Sequence, residues 1–124
     1  MDTINFPPLP EKKLEEACAM INQIKGTPLP FMLRGIRVDR KKIRAALEIL
    51  NSHPQSMLPQ NCRNDVSART PDGLDRRMKE KLGSDLRMAN IISDILAEAG
   101  IAEIISLENP ATGRLVKGTK LKVK

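Results

Sequence analysis

A mainly helical α+β fold, with about four helices and a C-terminal β-hairpin, is predicted by three features of the last forty or so residues. Leu86, Ala89, Ile92, Ile95, Leu96 and Ala99 recur at three-and-four spacing, with Met88 and Ile91 widening the stripe, so one face of a helix over 85–99 is apolar. Gly100 follows the last periodic residue, where a left-handed stop favours glycine. Beyond it lie a short apolar segment (101–107), a turn-rich stretch (108–113) and a basic segment (114–124). After Gly118 the last segment alternates, Thr119, Leu121 and Val123 pointing one way and Lys120, Lys122 and Lys124 the other, which is the period of a strand. Ser84 is expected to cap the helix through its hydroxyl, with Asp85 suiting the positive end of the helix dipole.

The rest of the chain reads in order as follows. Residues 1–10 carry Pro7, Pro8 and Pro10 and predict an extended arm leading into a helix. Leu14, Ala17, Cys18, Ile21 and Ile24 mark the buried face of that helix, from about Glu11 to Lys25, with Gly26 closing it. Lys12, Lys13, Glu15 and Glu16 are its solvated side. Pro28 and Pro30 turn the following residues away from helix, and Phe31 to Val38 suit a short strand or packed loop. Asp39 is a good cap for a helix from Arg40 to about Ser52, whose stripe is Ile43, Ala46, Leu47 and Leu50 and whose stop is enforced by Pro54. Arg40, Lys41 and Arg44 lie to its other side, as a phosphate-contacting or a merely solvated face. His53 to Thr70 reads as a long loop with at most one helical turn or extended segment. Pro71 or Asp72 opens the next helix, with Leu74, Met78 and Leu82 in register, Gly83 ending it, and Arg76, Arg77, Lys79 and Lys81 exposed.

At 124 residues the chain is long enough to bury a modest core. No apolar run approaches the roughly 20 residues that span a bilayer, and the N-terminus lacks the basic and apolar regions of a signal peptide. With two well-separated cysteines and no CxxC pair, a reduced cytoplasmic protein is the simpler expectation. The net charge of +6 favours an anionic partner. Its distribution is uneven: residues 31–50 hold six basic and two acidic groups, residues 101–124 five and two, but residues 84–100 only one and three. Any phosphate attraction should therefore come from the flanks and the hairpin rather than from the helix over 85–99.

A glycine turn between two helices, with Met78 and Leu82 before Gly83 and Ala89 and Ile92 after it, resembles a helix-turn-helix. The hairpin that follows makes the likeness one to the winged variant, over about residues 39–124, leaving 1–38 as an N-terminal arm and helix extension. Lys79 departs from the pattern where a small residue is usual, and Ser84 where an aliphatic is usual. The resemblance implies duplex DNA as partner, with the second helix in the major groove. Arg87, Asn90 and Asp94, with Ser93 at the edge, would face outward; Arg87 suits guanine and Asn90 adenine. Arg76, Arg77, Lys79 and Lys81 on the first helix, and Arg114, Lys117, Lys120 and Lys122 on the hairpin, would meet the backbone or minor groove. The alternatives are plain solvated surface for Arg87 and Asn90, and a basic edge that discourages aggregation for the hairpin.

Other chemistry finds little material. With no Trp or Tyr and only Phe6 and Phe31, a stacking platform for single strands lacks its instrument. His53 is the only histidine, a Cys62–His53 dyad has no local motif, and no zinc spacing or phosphate loop occurs, so a non-enzyme without metal or cofactor is expected. The expectation is a DNA-binding protein in transcriptional control or another DNA transaction, dimeric if a regulator, with the N-terminal helix as the surface between copies. The alternative is a protein–protein adaptor that reuses the winged fold.

Overall fold

The computed structural model describes residues 9–61, 72–84, 86–109 and 112–122. It is an α+β fold of four helices and a C-terminal antiparallel hairpin that belongs to a three-stranded sheet. The proline-rich arm before Leu9, the Asn64–Thr70 part of the expected loop, Cys62, Pro71, Asp85, Val123 and Lys124 lie outside the described residues.

Helix α1 (Glu11–Lys25) has the predicted bounds, and Gly26 ends it at φ 68°, where glycine carries no Cβ penalty. Leu14, Ala17, Cys18 and Ile21 are buried, but Ile24, expected on the same face, is 49% exposed. The proline segment leads into a two-stranded ribbon, β1 (Phe31–Leu33) and β2 (Ile36–Val38), closed by Arg34 at φ 49° and Gly35 at φ 82°. Two positive φ values in a two-residue loop match the twist of a tight hairpin. Helix α2 (Arg40–Asn51) is capped as expected, the Lys42 N–H donating to Asp39 Oδ1 at 3.0 Å. Arg40 and Arg44 reach back across the α1–α2 seam to Glu11, and Arg40 also to Glu15, so these cations are engaged within the fold.

The stretch after α2 contains more structure than a loop. A short 3-10 turn (Pro54–Ser56) leads into strand β3 (Met57–Pro59). Three residues ending in proline are too short to show a strand period, which is why composition reads them as loop. Helix α3 (Leu74–Leu82) is entered through Gly73 and left through Gly83 at φ 63°. Gly73 is required by space: a Cβ there would stand 2.6 Å from the Pro59 carbonyl oxygen.

Helix α4 spans Ala89–Glu98 and starts four residues later than the apolar stripe suggests. Leu86 is outside it and exposed, and Ser84 caps nothing in the helix, its Oγ accepting from the Leu86 N–H instead. The capping group comes from α3 (described below). Strands β4 (Ala102–Glu108) and β5 (Leu115–Leu121) form the predicted hairpin, and β3 pairs antiparallel with the free side of β5, giving the order β3-β5-β4. Gly118 lies where Leu107 crosses over β5; a Cβ would meet Leu107 Cδ2 at 1.8 Å and the Leu58 carbonyl at 3.1 Å.

One apolar core runs from Leu14 and Ile21 of α1 through Val38, Ile43 and Leu50 to Met78, Ile92, Leu96 and Ala102. Among the described residues no helix is long and apolar enough to cross a membrane.

Candidate nucleic-acid interface

Helix α4 is the element around which the candidate residues gather, and a buried carboxylate sets its start. Asp75, on α3, is fully buried, and its Oδ1 accepts the backbone N–H of both Met88 and Ala89 at 3.0 Å. Two of the four orphan N–H groups at the start of α4, those of its N-cap residue and its first helical residue, are thus met from another helix. Lys79, one turn on from Asp75, places its Nζ 3.0 Å from the other carboxylate oxygen, and its side chain is only 13% exposed. This explains the departure at position 79: a long cation stands there because it partners the carboxylate that joins α3 to α4. Asp75 is the residue organising this region that pattern reading missed. It sits among charged residues on an amphipathic helix, and nothing local marks it as buried.

A chain of buried polar groups fixes α4 to the sheet. Gln60 Nε2 donates to Thr119 Oγ1 at 3.1 Å, and the Thr119 hydroxyl donates to Ser93 Oγ at 2.7 Å. Ser93 is fully buried by this bond, where an outward edge was expected. The main chain of Gln60 ties the same region together, its N–H donating to the Lys117 carbonyl and its own carbonyl accepting from the Asp75 N–H.

These bonds also orient the hairpin. Ser93 meets Thr119, and the Lys122 N–H donates to the Ile101 carbonyl, so α4 begins toward the Leu115 end of β5 and finishes toward its Leu121 end. Thr119 faces α4, and alternation puts Lys117 on that same side of the sheet. Lys120 takes the opposite face, and Lys122, just past the end of the strand, lines a cleft between α1 and the ends of α2 and β5. Beside the turn, the Asn109 carbonyl accepts the N–H of Thr112 and Gly113, and its amide donates to Asn61 Oδ1.

The ten candidates, nine cations and the Asn90 amide, therefore separate. Arg76 pairs with Glu80 at 3.7 Å, Arg77 holds Asp72 through Nε and Nη2 at 3.0 and 3.1 Å, and Lys81 reaches Glu48 at 3.4 Å. With Lys79, every basic residue of α3 has a carboxylate beside it. Arg77 in turn holds the Asp72 carboxyl below its ordinary range through that hydrogen bond. Arg87, just ahead of α4, and Arg114 and Lys117 on the hairpin are exposed, with no acidic partner among the described residues. Asn90 is half-buried on the outer side of α4. The structure brings Arg87, Asn90, Lys117 and Arg114 toward one end of the α4–hairpin unit, and leaves Lys120 and Lys122 away from it.

The remaining outward groups of α4 are acidic, and each is met by a cation from the N-terminal extension. Arg34 Nη2 lies 2.7 Å from Asp94 Oδ2, and Lys25 Nζ 2.8 Å from Glu98 Oε2. His53 is half-buried after α2, where burial first and then Arg77 push its pKa down. Comparison with protein-family models, with curated proteins and with solved structures finds no match.

Proposed function

We propose that this protein binds duplex DNA through a winged-helix-like arrangement of residues 39–124, as a transcriptional regulator or an accessory of another DNA transaction, and without catalysis. The observation that carries the reading is the separation of the basic residues. Those of α3 are matched by carboxylates, whereas Arg87, Arg114 and Lys117 are exposed and unmatched among the described residues, around the start of α4 and the hairpin. Phosphates are the partner that such cations suit, because neutralising them releases condensed counterions. The chain order supports the reading as well: α3, α4 and the hairpin follow one another as the winged variant requires, and β3 ties the hairpin back to the helices. In this arrangement Arg87 and Asn90 are the base readers, and Arg114 and Lys117 hold the backbone or minor groove. The exposed ion pairs of Arg76, Arg77 and Lys81 are weak enough to exchange for phosphate, so these residues form an outer ring. Lys79 is a positioning residue.

Fluorescence anisotropy with a random-sequence duplex across a salt series tests this. A log–log slope of roughly −4 to −6 corresponds to about four to seven neutralised phosphates. Absence of binding at low salt would overturn the reading.

A second reading, a protein–protein adaptor on the same fold, is favoured by the exposed Met20 and Ile24 of α1 and by the neighbouring cleft of about 650 Å³, walled by Met20, Leu47, Ile101 and Leu121. A homodimer formed through α1 would use the same surface. Reversing Arg87, Arg114 and Lys117 to Glu abolishes duplex binding under the first reading and leaves partner binding intact under the second.

A further inference from the structure

The outward stripe of α4 presents two carboxylates, Asp94 and Glu98, on the helix that the proposed function sends into a groove lined by phosphates. Left bare, they would oppose approach, since like charges brought together across an interface are strongly unfavourable. Neither is bare. Arg34 donates from Nη2 to Asp94 Oδ2 at 2.7 Å, and Lys25 stands 2.8 Å from Glu98, and both cations belong to the segment that precedes residue 39.

The placement of Arg34 is itself unusual. It occupies the first loop position of the β1–β2 hairpin at φ 49°, a left-handed conformation in which Asn, Asp or Gly is at ease and an arginine is strained. Strain of this kind persists where the surroundings hold it, and it clusters where a side chain has a task. Here the turn projects the guanidinium onto α4, 60 residues further along the chain. Both partners remain about half exposed, so the pair lies on the surface beside the α4 stripe.

We infer that the N-terminal extension completes the duplex-facing surface by neutralising α4, with Arg34 matched to Asp94 and Lys25 to Glu98. The inference rests on the DNA-binding reading and gives residues 9–38 a part in it: without them, the helix offered to DNA is acidic. Arg34 acts through Asp94 and is a positioning residue.

The test uses the full chain and the variants Arg34→Asn, Asp94→Asn and the double substitution, with duplex affinity measured by anisotropy at one low salt concentration and across a salt series. Asn suits the left-handed turn, so the hairpin is retained, and thermal unfolding midpoints close to wild type verify the fold of each variant. Arg34→Asn should weaken binding by about tenfold, on the scale expected for an unpaired interfacial charge. Asp94→Asn in that background should restore affinity to within about threefold of wild type, because the repulsion is then gone. Wild-type binding with no loss in Arg34→Asn would overturn the inference alone. A loss that Asp94→Asn fails to restore, with the salt slope reduced by about 0.9, would also overturn it, by making Arg34 a direct phosphate ligand. No binding by the wild-type chain would overturn the DNA-binding reading, and this inference with it.

Discussion

Asp75 accepts the backbone N–H of Met88 at 3.0 Å, across 13 residues of sequence and from one helix to the start of another. The same oxygen takes the Ala89 N–H, so a fully buried carboxylate near the start of α3 holds the start of α4. A negative charge at this place also suits the positive end of the α4 dipole. The Met88 and Ala89 N–H groups are therefore satisfied within the fold and are not free to meet a phosphate near α4.

Removing that carboxylate should be the most damaging polar substitution in the chain. Asp75→Ala leaves Lys79 without its buried partner and two N–H groups without an acceptor, a loss of about 3–5 kcal/mol. Against a total stability of about 5–15 kcal/mol for a domain, this is a large fraction. Urea unfolding followed by circular dichroism should show the midpoint falling sharply, and falling less for Asp75→Asn, which keeps an acceptor.

The buried hydroxyl pair offers a cleaner energetic measurement. Thr119→Val keeps the shape but strands Gln60 Nε2 and Ser93 Oγ, which should cost about 1–3 kcal/mol. Adding Ser93→Ala removes one of the stranded groups, so the double variant should lose less than the sum of the two single changes. A sum that is strictly additive would mean that the 2.7 Å bond between Thr119 and Ser93 contributes nothing to stability.

Two glycines should respond differently to alanine. At Gly73 the added Cβ meets a fixed backbone oxygen, Pro59 O at 2.6 Å, so β3 or the start of α3 must shift. At Gly118 the nearest atom is the end of the Leu107 side chain, which can rotate away. Gly73→Ala is expected at or above the upper end of the roughly 1–3 kcal/mol range for overpacking and Gly118→Ala below it. Thermal unfolding of the pair decides the order.

His53 gives a pH dependence with a definite sign. Burial and Arg77 lower its pKa beneath the ordinary 6.5, with Asp72 opposing, so the unfolded chain binds the proton more readily than the folded one. Stability is therefore complete above 6.5 and is lost as pH falls through that value, levelling off below the lowered folded value. Urea midpoints measured from about pH 7 down to 5 should slope for wild type and flatten for His53→Asn, because carboxylates titrate mainly below that range.

The sorting of the basic residues makes a prediction about DNA rather than stability. Arg114→Ala and Lys117→Ala should each reduce the salt slope of duplex binding by about 0.9, with little change in unfolding midpoint. Lys79→Ala should do the reverse, lowering stability through Asp75 while leaving the slope near that of wild type. Equal slope changes for all three would mean that the pairing of α3 with carboxylates has no bearing on binding.

The three-and-four spacing of Leu14, Ala17, Cys18 and Ile21, and of Ile43, Ala46, Leu47 and Leu50, was sufficient to locate α1 and α2, and Gly26 and Gly83 to end α1 and α3. These are near-neighbour effects: a helix repeats every 3.6 residues, and a left-handed stop depends on one residue's lack of a Cβ. Alternation likewise located β5, because a strand's period is carried by its own residues. Tertiary structure was needed for everything that joins distant positions. It supplied β3 as the third strand, a cap for α4 from Asp75 instead of Ser84, a buried place for Ser93, and Arg34 as the partner of Asp94. It also decided which lysines of one alternating strand face α4. A carboxylate or a guanidinium reads the same in sequence whether solvent or another helix will meet it, since its partner is chosen by packing long after its own neighbours have been specified.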